Sequence, residues 1–493
     1  MPAFEPSFPA RSRRGPAPAI GQGAREEGRL IAYSAGNLGK NIVFASGELT
    51  FLYLLTDLAG LSGRVAGGVM LLVVLGDLVF DLLAARIVIH LRARAINYAS
   101  LLVAGAVPGG LAFAMVYALP ALGVTASGWL ALALVTFRSA YALVDVPHNA
   151  LMARISQSSR TRARISGYRR FFSSLSSVSI ALIIAPGVEA ATHGDDYPAL
   201  AAMGLGVGAL FVAAMGACAW ACRTRHPARV EEASAHADPC PGPVTGDGLA
   251  VPLRDPLVLA MLALGLLTGF AAPGFDRMVL YFARYVLAEP EAVRPVLLAV
   301  TVGQFAGVLA WTALAGRIDA RRLLIAGHLL YALALCGFWL ASPLAGARLG
   351  LAGVIGFAQT AVFMLPWAML ADVVDAVEWR HRRRFEAGLF AVFLVVVKSS
   401  GSAASAVIGF TLDRAGYAPG LVQDAGVRAV IAALGIALPV AGSALAAALL
   451  WRFRLGHALH ARLCRTLAYR RRTGVRVVGP QAAQTSGFVS LRA

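Results

Sequence analysis

The sequence predicts an all-α membrane protein: twelve transmembrane helices in two six-helix bundles, with both termini in the cytoplasm. Three observations predict it. The 493-residue chain is 58% hydrophobic and only 14% charged, against about 25% charged in a soluble domain. Its apolar runs reach the ~20 residues of a spanning helix, exceed the ~11 of a barrel strand and do not alternate. Basic residues collect in every second connection, the bias that sets membrane orientation.

The spans fall at roughly 31–55, 64–89, 97–119, 127–150, 167–187, 198–222, 257–287, 292–316, 322–342, 346–371, 386–411 and 428–452, each near the length that crosses a bilayer. Pro198 to Cys222 and Ala429 to Trp451 carry no charge. Ala95 to Phe137 is also uncharged but long enough for two helices, with a turn near Pro120. Arginine clusters mark the N-terminus (Arg11, Arg13, Arg14, Arg25, Arg29), Arg92 with Arg94, Arg154 to Arg164, Arg223 to Arg229, Arg317 to Arg322, Arg380 to Arg384, and Arg452 to Arg476. The alternate connections are neutral or acidic, as at Asp195–Asp196 and Glu289–Glu291.

The longest connection is polar and rich in Pro and Ala, and reads as a linker between halves. The chain therefore divides into an N-terminal tail (1–28), a first bundle (29–222), a cytoplasmic linker (223–256), a second bundle (257–455) and a basic tail (456–493). The tail lies near the anionic inner leaflet. The first residues lack a continuous apolar core, so no cleaved signal peptide is expected.

The net charge is +18. This excess reads as loop bias and not as a nucleic-acid surface. All but two of the 44 basic residues are arginine, and the exceptions, Lys40 and Lys398, fall inside apolar spans. Five cysteines form no metal or disulfide spacing. No nucleotide loop, HExxH or GxSxG pattern is present, so an ATP-driven pump or membrane hydrolase has no support, and the protein is read as a non-enzyme without a cofactor.

A charge at mid-bilayer costs at least ~2.5 kcal/mol on insertion scales, so such residues are paired, solvated or used. Helix 1 carries Lys40 and Glu48, with Asn41 on the face of Glu48. Helix 2 carries Asp77 and Asp81 one turn apart. Arg138, Tyr141 and Asp145 form one stripe on helix 4. Helix 5 opens with Arg169 and Arg170, and helix 11 holds Lys398. Two ionised carboxylates one turn apart repel, and a bound H⁺ or Na⁺ relieves the repulsion. The pair is thus a candidate cation site. The alternative is a static salt bridge to Arg138, Arg170 or Lys398.

Asp276 and Arg277 on helix 7 are neighbours facing different directions, favouring a structural role at an interface or cavity. Gln304 and Gln359 line a cavity or join helices. His148 reads as a solvated or hydrogen-bonded histidine, and Tyr281, Phe282 and Tyr285 as membrane-packing or belt residues, with stacking on a ligand as the alternative.

The halves, spans and termini suggest the major facilitator architecture. YSAGNLGKN (33–41), TDLAGLS (56–62) and DLVFD (77–81) resemble the opening of the melibiose-permease-like glycoside–pentoside–hexuronide cation symporters. VDVPHNALM (144–152), SGYRRFF (166–172), LYFARYVL (280–287), LPWAMLADVVDAVEWR (365–380) and VVVKSSGSA (395–403) are similar to that family's later segments, in order. The resemblance implies a cation site at Asp77, Asp81 and Lys398. It implies a sugar site at Tyr141, Asp145 and Arg170, with Asn41 and Asn149 at sugar-site positions and Lys40 in the family's Gly-Lys pair. Arg138, Lys40 and Glu48 are candidate charge partners.

Departures are specific. Asn41 stands for an Asp, Val74 for an Arg, Phe80 for a frequent Asn and Asn149 for an aromatic; Arg138 is an added charge, read as compensating for the missing helix 2 arginine. Phe80 removes an oxygen ligand, so H⁺ is favoured over Na⁺ as coupling ion. The expected activity is cation-coupled symport of a sugar or related small solute by alternating access, in a monomer of the bacterial-type inner membrane that binds lipid bilayer and solute and no nucleic acid. The departures keep two alternatives open: a transporter of lysolipid or another amphipathic solute, and a non-transporting sensor or assembly protein.

Overall fold

The computed structural model describes residues 20–93, 98–155, 159–194, 196–222, 251–453 except 316, 342 and 384, and 459–467 except 461 and 464. Most of the expected linker and of both tails lies outside the described residues. The described residues fold as helices and short connections, in twelve crossings.

In the first half, α1 (Ile20–Tyr53) runs on through a wide π turn (Leu54–Leu58). It is followed by α2 (Gly63–Ala93), α3 (Tyr98–Ala121) and α4 (Ser127–Ile155). Helix α5 comprises Ser159–Ser179, a π turn (Ile180–Ile184) and Ala185–Gly194, and α6 is Tyr197–Ala221. In the second half, α7 comprises Pro256–Phe270, Gly274–Tyr281 and a π turn (Phe282–Leu287). Then come α8 (Val293–Ala315), α9 (Ala320–Leu340), α10 (Ala345–His381) and α11 (Glu386–Arg414). Helix α12 comprises Ala425–Ala432, a π turn (Ala433–Ala437) and Leu438–Arg452.

Eleven of these crossings are long and apolar enough to span a membrane. The other is α1, whose apolarity is diluted by Asn37, Lys40, Asn41 and Glu48. Several helices outrun their predicted spans: α5 begins at Ser159 and α10 continues to His381. Hydropathy marks only the lipid-immersed part, whereas backbone hydrogen bonding continues into the polar layer.

Helix starts follow local chemistry. Asp196, Asp255 and Asp424 cap α6, α7 and α12 by accepting the N–H of Ala199, Leu257 and Val427 at 3.1, 2.9 and 2.7 Å. Helix α7 breaks between Phe270 and Gly274, where Pro273 has no N–H to continue the ladder. Tyr331 of α9 donates to the carbonyl of Ala272 at 2.7 Å. In lipid such a freed carbonyl needs a partner.

Within the first half α3 packs on α4 and α6, α1 on α5 and α6, and α2 on α4; within the second, α10 packs on α8 and α9, α11 on α7, and α9 on α12. The α8–α10 contact is backbone to backbone: a Cβ on Gly303 would overlap the Gly353 carbonyl oxygen, and one on Gly356 that of Val300. The halves meet chiefly along α2 and α11, where Gly63 and Gly67 lie against Gly409. Side chains such as Leu309, Leu333 and Leu445 stay exposed on the outer face, as lipid contact requires.

Candidate functional site

The predicted charges converge at mid-height between the halves. Asp77 of α2 is 6% exposed. It accepts two hydrogen bonds from Arg138 Nε, at 2.8 and 3.0 Å, and a further one from the Nη2 of the same guanidinium. Ser402 of α11 joins this pair, accepting from Arg138 at 3.0 Å and donating to Asp77 at 3.2 Å. One turn on, Asp81 accepts from Lys398 of α11 at 2.7 and 3.1 Å. Lys398 also lies 3.7 Å from Asp145 of α4, which pairs with Lys40 of α1. The aspartate pair therefore carries the salt bridges weighed above, and Lys398 ties α11 to both α2 and α4.

Around Asp145 the polar network widens. Asn149 donates to it at 3.0 Å and accepts from Arg169 at 2.9 Å; Arg169 also reaches Asn37. The side chain of Arg170, to which the resemblance pointed, lies outside the described residues. His148 is fully buried, stacked on Tyr33 with ring centroids 4.7 Å apart, its Nδ1 3.3 Å from the Lys40 ammonium. Asn41 is half-buried on α1.

A cavity of about 350 Å³ lies beside this cluster. Of the predicted cation-site residues and their charge partners, Lys398 and Glu48 line it. Tyr141 stands behind its wall, stacked on the lining residue Phe44 at 5.5 Å. Arg138 lies over the same Phe44 ring at 4.9 Å. The remaining polar lining comes largely from the second half: Asp276, Arg277, Gln304, Thr268 and Thr301. The Pro273 break presents these α7 residues: Arg277 crosses to pair with Glu48 of α1, and Asp276 accepts from Gln359 of α10 at 3.1 and 3.2 Å. Gln304 of α8 reaches Gln359 at 3.5 Å. Asp276 and Arg277 are thus both interface and cavity residues, and Gln304 and Gln359 are at once helix-joining and cavity-related.

Sequence reasoning missed the closure at the end away from the termini. There the Asp57 carboxylate, fully buried at the end of α1, accepts from Thr56 at 2.8 Å, from Tyr417 at 2.6 Å and from Tyr285. Tyr281 and Thr56 share a hydrogen bond of 2.8 Å, and Arg284 donates to Tyr53 at 3.0 Å. Tyr281 and Tyr285 therefore do more than fill space. Asp57 lay inside the quoted TDLAGLS run, but nothing local showed that α7 and the α11–α12 connection meet it.

Two helical bundles around a charged mid-height cavity, with a seal at one end, define a secondary transporter of the membrane. The chain belongs to the MFS/sugar transport protein family, whose model matches residues 32–457. A relative in Escherichia coli (strain K12) named "Putative glycoside/cation symporter YagG" is 26% identical over 83% of this chain and 88% of its own length. A "Glucuronide carrier protein homolog" of the same organism is 24% identical over 80% of this chain and 85% of its own. Among solved structures, a bacterial homolog of the human lysosomal transporter Spinster superposes with a TM-score of 0.62 at 15% identity, covering 89% of this chain and 97% of that one. The D-xylose–proton symporter gives 0.58 at 14%, covering 86% and 97%. At these identities the structures share the fold.

Proposed function

We propose that the protein is a monomeric inner-membrane symporter that couples entry of a sugar or glycoside to H⁺, with both termini in the cytoplasm. The observation that carries this reading is Lys398, held by Asp81 across the halves and 3.7 Å from Asp145. Protonation of Asp81 cancels its charge and leaves Lys398 to Asp145, loosening α11 from α2. Cation occupancy is thereby linked to the arrangement of the halves through differential affinity.

Two features favour H⁺ over Na⁺. Asp77 and Asp81 already face Arg138 and Lys398, and a hard cation needs several free oxygens. In this reading Asp77, Asp81 and Lys398 form the cation site, Arg138, Lys40 and Glu48 are charge partners, and the Asp57–tyrosine seal closes the outer side, making this an inward-facing state. Tyr141, Asp145, Asn41, Asn149 and Arg170 meet solute only as the halves rearrange. Relatives named for glycosides and glucuronides support the solute class.

The test uses proteoliposomes offered sugars, sugar acids and lysolipids, with and without Na⁺, with internal pH recorded. Solute-driven acidification is expected for the wild type and its loss in Asp77→Asn and Asp81→Asn. Undiminished coupled uptake in both variants refutes the cation site.

A further inference from the structure

We propose that the solute's hydroxyl groups are read by the second half, through a row made of Asp276, Gln359 and Gln304, and that the solute is a glycoside bearing an apolar aglycone. This deepens the symporter reading and rests on it.

The five carboxylates Asp57, Asp77, Asp81, Asp145 and Glu48 each have a basic side chain within 4.0 Å. Asp276 differs: among the described residues its hydrogen-bond partner is the neutral amide of Gln359, and the adjacent Arg277 is turned to Glu48. Its remaining lone pairs border the cavity. A carboxylate whose acceptors are not taken by a cation suits O–H donors.

Gln359 is only 1% exposed and hydrogen-bonded to Tyr331 at 3.3 Å as well as to Asp276. It is therefore a positioning residue, fixing Asp276 on one side and Gln304 on the other. Gln304 uses one amide hydrogen on Gln359, leaving a second donor and its carbonyl acceptor. Side by side, Asp276 and Gln304 offer an acceptor next to a donor–acceptor pair. That pattern matches neighbouring ring hydroxyls, each of which both donates and accepts.

Besides Ser177, Thr268, Thr301 and the ion-paired Glu48, Arg277 and Lys398, the cavity has an apolar wall that includes Phe44, Leu49, Ile180, Leu297, Val300 and Phe363. A free sugar leaves that wall uncovered, whereas an aryl or alkyl aglycone covers it. At about 350 Å³ the space is at the small end of the ~300–1,000 Å³ typical of ligand pockets. Asp145, by contrast, is already engaged by Lys40 and Asn149. A choline-type ammonium would also be drawn to Asp276, but it has no use for the Gln304 amide.

The test is equilibrium dialysis of the purified full-length protein with the para-nitrophenyl β-glucoside, β-galactoside and β-xyloside, read by the chromophore. The free sugars compete as controls, and lysophosphatidylcholine is a separate arm. At least one glycoside is expected to bind, with its free sugar about tenfold weaker or worse for want of aromatic burial. Asp276→Asn is expected to weaken binding about 10–100-fold and Gln304→Leu about 5–10-fold, while Gly350→Ala, away from the cavity and with open space for a Cβ, stays within about twofold. Should Asp276→Asn fail to fold, as judged by its melting midpoint, Gln304→Leu and glycosides lacking single ring hydroxyls decide the matter.

Binding of none of the glycosides, or of lysophosphatidylcholine alone, overturns the proposal. So does normal affinity in Asp276→Asn or Gln304→Leu, or an equal loss in Gly350→Ala. Cation-coupled uptake of a free sugar with normal Asp276→Asn kinetics leaves the symporter reading standing and removes this one.

Discussion

Arg138 offers the sharpest energetic test. Its guanidinium gives Asp77 several hydrogen bonds, touches Ser402 and lies 3.7 Å from Glu48. At ~3 Å and an effective dielectric of ~20 the Coulomb attraction is about 5–6 kcal/mol. Desolvating the two ions costs several kcal/mol, so the intact pair adds little net stability. Breaking it is another matter, because the surviving ion stays buried. Arg138→Met is expected to destabilise by about 3–5 kcal/mol, whereas the double variant Asp77→Asn with Arg138→Met recovers most of that loss. Glu48 keeps Arg277 in either case, so the cycle isolates the Asp77 pair. Melting in detergent, followed by size-exclusion recovery after heating, ranks the four proteins. If Arg138→Met melts with the wild type, or the double variant melts below both singles, the reasoning fails.

Three further outcomes follow from the same geometry. Gly303→Ala is expected to cost about 1–3 kcal/mol by forcing α8 from α10, while Gly350→Ala, where a Cβ meets nothing within 4 Å, is neutral or better; equal melting of the two would refute the close-packing argument. Tyr417→Phe removes a hydrogen bond from Asp57, and a cysteine at position 301 in a cysteine-free background is expected to label about tenfold faster from the far side; unchanged labelling would show that the seal does not limit access. Asp255 lies before α7, outside the span; burial opposes its charge, but His381, the Leu257 N–H and Arg380 outweigh that and hold its carboxyl below the usual range. Its contribution is therefore present above the unfolded value near ~3.9 and is lost as pH falls through the lower folded value. The melting gap between wild type and Asp255→Asn should be constant at neutral pH and close below about pH 4; a gap that widens with acid refutes the assignment.

The helices were legible because lipid imposes a length of apolar chain on each crossing, and only α1 escapes that signature by carrying Lys40 and Glu48. The stripe of Arg138, Tyr141 and Asp145 was legible from helical spacing alone. Which carboxylate meets which cation was not, since Asp77–Arg138 and Asp81–Lys398 depend on how α2, α4 and α11 cross. Asp276 and Arg277 illustrate the same limit. Their adjacency predicted divergent directions, and they do diverge, but Pro273 and the distant Gln359 decide what each one meets. Tyr281 and Tyr285 read as packing because their partners, Thr56 and Asp57, are more than two hundred residues away in the chain.

The bare-backbone seam between α8 and α10 bears on how force moves through the molecule. Where Gly303 meets Gly353 and Gly356 meets Val300, backbone rests on backbone, and Trp311 against Phe357 extends the contact. The two helices behave as a single stiff plank, and the amides of Gln304 and Gln359 are bolted to its edge. In the proposed reading, a solute held by the Gln304 amide moves α8 and α10 together, so that a small displacement at the cavity becomes a tilt of both helices.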